Sequence, residues 1–276
     1  MIQNFKVQGG PEFGRKNLPL LRAKLRDMNF DGFLIPHEDE YNNEYLPDCN
    51  ERLMWATGFT GSAGFATVLA DKAAAFVDGR YVLQIGAQVD SDLFEYKRME
   101  DSGISKWLSE NVKAGDNIGY DPRLHSPDAL DVLRRAVENA GGALKPAPIN
   151  PIDAAWIDRP APPKAKLSIQ PLALAGQSHD DKREQIGAAL ASKKADAALI
   201  TAPASIAWLL NVRGGDVMCS PLPLSTLLLH KSAKAELFIN PDKITDELRA
   251  HLGNHVSISP EDKLESRIKS LGGQIV

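Results

Sequence analysis

Apolar residues recur along the chain with two periods, one near 3.6 and one of 2. Leu18, Leu21, Leu25 and Met28 lie at helical spacing and predict a first helix, with Asn17 as its cap and Pro19 tolerated in its first turn. Asp31-Gly32 then turns into the short apolar run Phe33-Leu34-Ile35, a strand that Pro36 ends. A polar, tyrosine-rich stretch over 38–50 follows. Beyond it the pattern predicts a short helix over 52–55, strands over 65–69 and 73–77 around an Asp71-Lys72 turn, a helix over 80–88 and a strand over 93–96. Ile104, Trp107, Leu108 and Val112 mark another amphipathic helix, and 117–120 a strand. Ser126-Pro127-Asp128 combines a capping oxygen, an N1 proline and a first-turn acid, a strong helix start, and Gly141 ends that helix before a last short strand over 143–145.

Prolines 146, 148, 151, 160, 162, 163 and 171 then crowd one segment with little apolar periodicity, which reads as an extended connector. The organisation expected is a first domain over 1–150, a proline-rich connector over 151–175 and a second domain over 176–276. The second half repeats the order of the first. Helices are predicted over 178–193, 205–210, 244–252 and 262–270, and strands over 197–200, 224–229, 235–239, 256–258 and from Gln274 onward. A glycine also follows each of two tryptophans by six residues, Trp55 with Gly61 and Trp208 with Gly214. Both halves thus run α-β-α-β-β-α-β-α-β, the pattern of a tandem duplication. The first copy continues with the helix from Ser126 and one more strand; the second has no counterpart and reads as truncated there, with an apolar face left open.

Composition narrows the function classes. With 43% hydrophobic and 25% charged residues, the 276-residue chain is an ordinary globular one of about two domains. Lys+Arg 32 against Asp+Glu 36 gives a net charge of −4, without the basic excess of a nucleic-acid binder. No window is apolar for long enough to span a membrane, and the start, Met1-Ile2-Gln3-Asn4-Phe5-Lys6, has no signal-peptide core. Cys49 and Cys219 show no metal or redox spacing and read as reduced, unrelated thiols of a cytoplasmic protein.

Chemistry-bearing motifs are few. His251 and His255 stand at i and i+4, a metal-chelating spacing, but Gly253-Asn254 between them ends the helix, so surface histidines are expected. Gly58-Phe59-Thr60-Gly61-Ser62-Ala63-Gly64 resembles a phosphate cradle only in its glycines. It lacks the Lys-Thr/Ser ending and precedes a strand, so it reads as a tight loop. Val77-Asp78-Gly79-Arg80-Tyr81 ends a strand, permits an unusual turn at Gly79, and starts a helix with an arginine whose fork suits a carboxylate or carbonyl. Asp78 either orients that guanidinium or caps the helix. Arg213-Gly214-Gly215-Asp216 is a similar polar loop with the same two readings.

Several of these motifs, taken in order, resemble the three-domain Xaa-Pro aminopeptidases (aminopeptidase P). Trp55 to Gly64 and Val77 to Gln84 look like that family's first domain, Trp156-Ile157-Asp158-Arg159-Pro160 like its interdomain segment, and Ile206 to Val217 like its second-domain signature, with a departure at Met218-Cys219-Ser220. The resemblance implies an α/β protein of two tandem ribonuclease-H-like, creatinase-N-terminal domains, each a mixed sheet flanked by helices. In that family a third, pita-bread domain holds two divalent ions, commonly manganese, and hydrolyses the bond before proline. None of its metal-binding motifs occurs in this chain, so no catalytic and no metal-ligating residue is expected here. The one position carried over is Arg80, implied to reach the substrate in an intact enzyme that acts on peptides with proline second and forms a homodimer. The alternative is a protein- or peptide-binding module related to pita-bread histone chaperones; the peptidase-type D-G-R-Y and the lack of acidic tracts count against it.

Overall fold

The computed structural model describes residues 8–100 and 103–276, so Met1 to Lys6 lie outside the described residues. The chain divides into two units, Met1–Glu40 with Asp48–Ala161, and Tyr41–Pro47 with Pro162–Val276. In the first unit helix α1 (Pro11–Asp27) leads to β1 (Gly32–Pro36), α2 (Arg52–Thr57), β2 (Gly64–Leu69), β3 (Ala73–Val77), α3 (Val82–Gln88), β4 (Glu95–Arg98), α4 (Gly103–Asn111), β5 (Asn117–Tyr120), α5 (Pro127–Asn139), β6 (Ala143–Pro146) and α6 (Pro151–Ala155). The second unit holds β7 (Ser168–Ile169), α7 (Leu172–Ala175), α8 (His179–Ser192), β8 (Ala197–Ile200), α9 (Pro203–Leu210), β9 (Val212–Arg213), β10 (Thr226–His230), β11 (Ala235–Phe238), α10 (Asp246–Leu252), β12 (Val256–Ser259) and α11 (Leu264–Lys269).

The sheet of the first unit has the order β4-β3-β2-β1-β5-β6. β1–β2 and β2–β3 pair antiparallel, whereas β3–β4, β1–β5 and β5–β6 pair parallel. Strands β1, β2 and β3 are buried at every position, which is why they read as continuous apolar runs. Alternate residues serve two cores. Phe33, Ile35, Ala66, Val68, Ala75 and Val77 pack with Leu18, Leu21 and Leu25 of α1 and Trp55 of α2. Leu34, Phe65, Ala74 and Phe76 pack on the other face with Trp107 and Leu108 of α4 and Val137 of α5.

The second unit repeats this arrangement. Its main sheet has the order β12-β11-β10-β8, with β8–β10 and β10–β11 antiparallel and β11–β12 parallel, matching β4-β3-β2-β1 strand for strand. The duplication extends to single hydrogen bonds. In the first unit Asp31 N donates to Asn117 O while Asn117 N donates to the Asp31 carboxylate, both at 2.8 Å. In the second unit Asp196 N donates to Ile275 O at 2.8 Å and Ile275 N donates to the Asp196 carboxylate at 3.0 Å. The strand expected from Gln274 is therefore represented by its first pairing only and is not a strand over the described residues. One face of this sheet carries the larger core, with Leu209, Leu227, Leu229, Leu237 and Leu248. On the other face Leu228 and Phe238 pack with Leu271, and Leu199, Ile268 and Val276 line an open cleft.

Three local readings need correction. α1 begins at Pro11 with Gly10 as its cap, so Asn17 is an interior residue; it is buried and its Nδ2 donates to Trp55 O at 2.7 Å. The first turns of α1 lacked the apolar spacing that would have shown them. The proline-rich segment is not uniformly extended, because Pro151 opens α6 behind the Asn150 cap and Leu172–Ala175 forms α7. Gly79 does not adopt a left-handed backbone: among the described residues the positive-φ glycines do not include it.

α6 is tied to the start of α2 by a buried ionic network. Arg52, its side chain 3% exposed, reaches Asp153 and Glu40, each at 2.7 Å, and Arg159 reaches Asp153 at 2.8 Å and Cys49 O at 2.7 Å. Burial alone would lower the Arg52 pKa, but the two carboxylates outweigh it and hold the guanidinium charged. Replacing Arg52 by Ala strips Glu40 of its cation and leaves Asp153 with Arg159 alone, and should destabilise the chain by about 3 kcal/mol in urea unfolding, the lower end for a broken buried pair.

Candidate functional site

The sequence points to the end of β3, and the geometry there is specific. Past Val77 the chain makes a single 3₁₀ turn, Gly79–Tyr81, before α3. Asp78 caps that turn by accepting from Arg80 N at 2.9 Å, and the same carboxylate accepts from Arg80 Nε at 3.0 Å and Nη2 at 2.7 Å. Both readings of Asp78 are therefore correct at once. The hydrogen bond from the guanidinium holds the Asp78 carboxyl below the usual carboxylate range. Arg80 itself is 63% exposed, so a charged fork is held in a fixed plane at the surface. From the end of the neighbouring parallel strand, Glu100 accepts from Gly79 N at 3.2 Å and pairs with Arg98 at 3.5 Å.

The glycine-rich loop belongs to this same corner. Tyr81 and Ser62 share a hydroxyl–hydroxyl hydrogen bond of 2.9 Å, and Phe59 meets the Tyr81 ring edge-on with centroids 5.5 Å apart. The Arg80 guanidinium lies over the Tyr81 ring, 5.2 Å from its centroid. A Cβ on Gly61 would stand 2.3 Å from Phe59 and 2.8 Å from Tyr81, so this glycine makes room for the two rings. Gly58 has φ +88° and its carbonyl accepts from Gly10 N at 3.1 Å. Thr60 is held by Gln84 and Gln88 of α3. The two motifs, separate in sequence, thus form one surface feature.

Other candidates resolve as structure. Asp216 of the second polar loop is buried, accepts from Leu224 N at 2.7 Å and pairs with the buried Lys243 at 2.8 Å. The neighbouring Arg213 donates to Val212 O at 2.8 Å. His251 and His255 do not come together. His251 packs against His179 with ring centroids 4.5 Å apart and planes tilted by 49°, and bonds Leu210 O through Nε2, so it is a packed rather than a surface histidine, whereas His255 is exposed. Cys49 is buried and Cys219 exposed, and both are free. Among the described residues no three His, Cys, Asp or Glu come together as a metal site. No helix among them is long and apolar enough to cross a membrane.

One perturbed group had no signal in the sequence. His125, in the turn after β5, packs against Phe65 and Tyr120, and burial pushes its pKa from 6.5 down to about 4. Glu51, beside the start of α2, is shifted the other way, with burial raising its carboxyl to about 6.

Residues 18–154 and 158–275 each match a family profile described as a creatinase/prolidase N-terminal domain. The chain is 35% identical over 259 residues to a probable Xaa-Pro aminopeptidase P of Coccidioides posadasii strain C735, covering 93% of this chain and 40% of that protein. It is 34% identical to a protein of the same description from Aspergillus niger, covering 93% of this chain and 42% of the relative. The chain therefore spans about two fifths of the length of these relatives. Among solved structures, an X-prolyl aminopeptidase from Caenorhabditis elegans, described as a cytosolic enzyme with a di-nuclear active site, superposes with TM-score 0.85 at 30% identity, over 92% of this chain and 44% of that one.

A histidine kept neutral by the fold contributes stability that is complete above the unfolded pKa and is lost as pH falls from 6.5 towards 4. Relative to a His125→Phe variant, the wild-type chain should lose about 2–3 kcal/mol of stability across that window, read by chemical unfolding at each pH. Glu51, present in both proteins, cancels from the difference.

Proposed function

We propose a function for this chain from one premise: it belongs to the creatinase/prolidase N-terminal domain family and carries two copies of that domain in tandem. It corresponds to the N-terminal region of the aminopeptidase P relatives, and its role is to serve a cytoplasmic Xaa-Pro aminopeptidase without carrying the chemistry itself. In that reading the enzyme releases the N-terminal residue ahead of proline using two divalent ions, manganese by preference. A metal pair of this kind supplies an activated water to the peptide bond. The residues of this chain contribute recognition. Arg80 binds the peptide substrate, and the first unit limits the size of peptide admitted.

The observation that carries this reading is the surface-exposed Arg80 fork, held by the Asp78 carboxylate through Nε and Nη2. Such a fork suits a peptide carboxylate or carbonyl, and the Asp78 partner holds one edge of it before substrate arrives. Beside it, at the start of α3, Val82 and Leu83 expose apolar side chains, Leu83 by 90%. An exposed apolar pair flanking a charged anchor supports a subunit contact at this corner, in a homodimer. The chaperone-like binding module is the weaker reading, because the relatives matched over 93% of the chain are described as Xaa-Pro aminopeptidases.

The purified chain, supplied with manganese, should not cleave an Xaa-Pro peptide; turnover would overturn the proposal. In the polypeptide encoded by the complete reading frame, Arg80→Ala should lower kcat/KM by about 10- to 100-fold, the worth of one charge-assisted hydrogen bond. Leu83→Asp in that polypeptide should shift the dimer to monomer in light scattering.

A further inference from the structure

The position of Arg80 depends on more than Asp78. An arginine that is 63% exposed, on a flexible stem, samples many rotamers, and ordering it on binding costs entropy. Asp78 fixes the guanidinium edge through Nε and Nη2. A carboxylate alone lets the paired groups swing together. The face of the guanidinium is set by a different group, the Tyr81 ring beneath it. That ring is itself held on two sides, by Ser62 through its hydroxyl and by Phe59 at its edge. The loop carrying Phe59 and Ser62 is in turn fastened to α3 through Thr60, Gln84 and Gln88. The absent side chain at Gly61 leaves the ring its place.

We infer that Tyr81 is a positioning residue for Arg80, and that the Gly58–Gly64 loop acts on substrate recognition through it. This rests on the reading of Arg80 as the substrate-binding residue. The loop then has a role that its glycines alone would not reveal. It builds the platform on which the guanidinium is presented, and a change in the loop is felt at Arg80 through the Tyr81 ring.

The test is a double-mutant cycle in the polypeptide from the complete reading frame, joined to NMR of this chain. Tyr81→Leu should raise KM for an Xaa-Pro peptide roughly two- to fivefold with kcat unchanged, the worth of an exposed cation–π contact. Tyr81→Phe, which keeps the ring, should retain a KM within about twofold of wild type. Ser62→Ala breaks the same hydroxyl–hydroxyl bond from the other side and should match Tyr81→Phe, and Tyr81→Met, which also removes the ring, keeps the test valid if Tyr81→Leu fails to fold. Tyr81→Leu should add nothing in an Arg80→Ala background, because residues acting as one unit are not additive. In the NMR spectrum of this chain the Arg80 Nε–H resonance should carry a ring-current shift that Tyr81→Leu abolishes and Tyr81→Phe preserves. A Tyr81→Leu effect that persists in Arg80→Ala, or an Arg80 resonance indifferent to the ring, overturns the inference. An Arg80→Ala enzyme with wild-type KM, together with the expected NMR shift, overturns instead the reading of Arg80 as substrate-binding and leaves the platform geometry standing.

Discussion

The first unit is organised by one constraint: β1, β2 and β3 are buried on both faces. A strand in that position must offer apolar side chains alternately to two layers of helix, and its ends are the only places where polar chemistry can reach solvent. The helices α1 and α2 on one side and α4 and α5 on the other follow from that demand. So does the location of the Arg80 corner. β3 is apolar throughout until Val77, and the first residues free of the sandwich are Asp78, Gly79 and Arg80.

The same constraint acts on the second unit with a different outcome. β10 is buried at four of its five positions and β11 at three of its four, and strand order and direction match those of β2 and β3. β8, the counterpart of β1, is less enclosed, with Leu199 bordering a cleft. The tandem copies have diverged in chemistry as well as in cover. Where the first unit turns a charged loop outward, the second buries its polar loop residue Asp216 against Lys243. Trp55 and Trp208, which mark equivalent helices, have also parted: Trp55 is buried against Trp156, while Trp208 is half exposed over the Lys182 ammonium. The sheet is common to both copies, and the outward-facing charged turn at Arg80 belongs to the first.

Local signals in the chain were strong where a backbone event has a fixed chemical mark. Ser126-Pro127 and Ser178 start α5 and α8, with the capping hydroxyls bonded as expected. The apolar runs of β1 and β3 were equally plain. The signals were weak where a residue's role depends on a neighbour far along the chain. Asn17 looked like a cap because short polar residues commonly are; its amide is instead engaged with Trp55, 38 residues away. Arg52 gave no sign of its ionic network, since Glu40, Asp153 and Arg159 carry no shared spacing with it.

By itself the sequence determined the two α/β domains, their shared order of elements along the chain and the place of Arg80 in a strand-to-helix turn, because periodicity, caps and turns are short-range properties. Tertiary structure decided everything that needed two distant segments to meet. It joined the Gly58–Gly64 loop to the Asp78–Tyr81 turn through the Tyr81 ring, and packed His251 against His179 where the sequence suggested a surface histidine. It also drove His125 toward a neutral state by enclosing it with Phe65 and Tyr120. The physical reason is the same in each case: spacing along a chain sets which face a side chain occupies, but only the packed sheet sets what lies against that face.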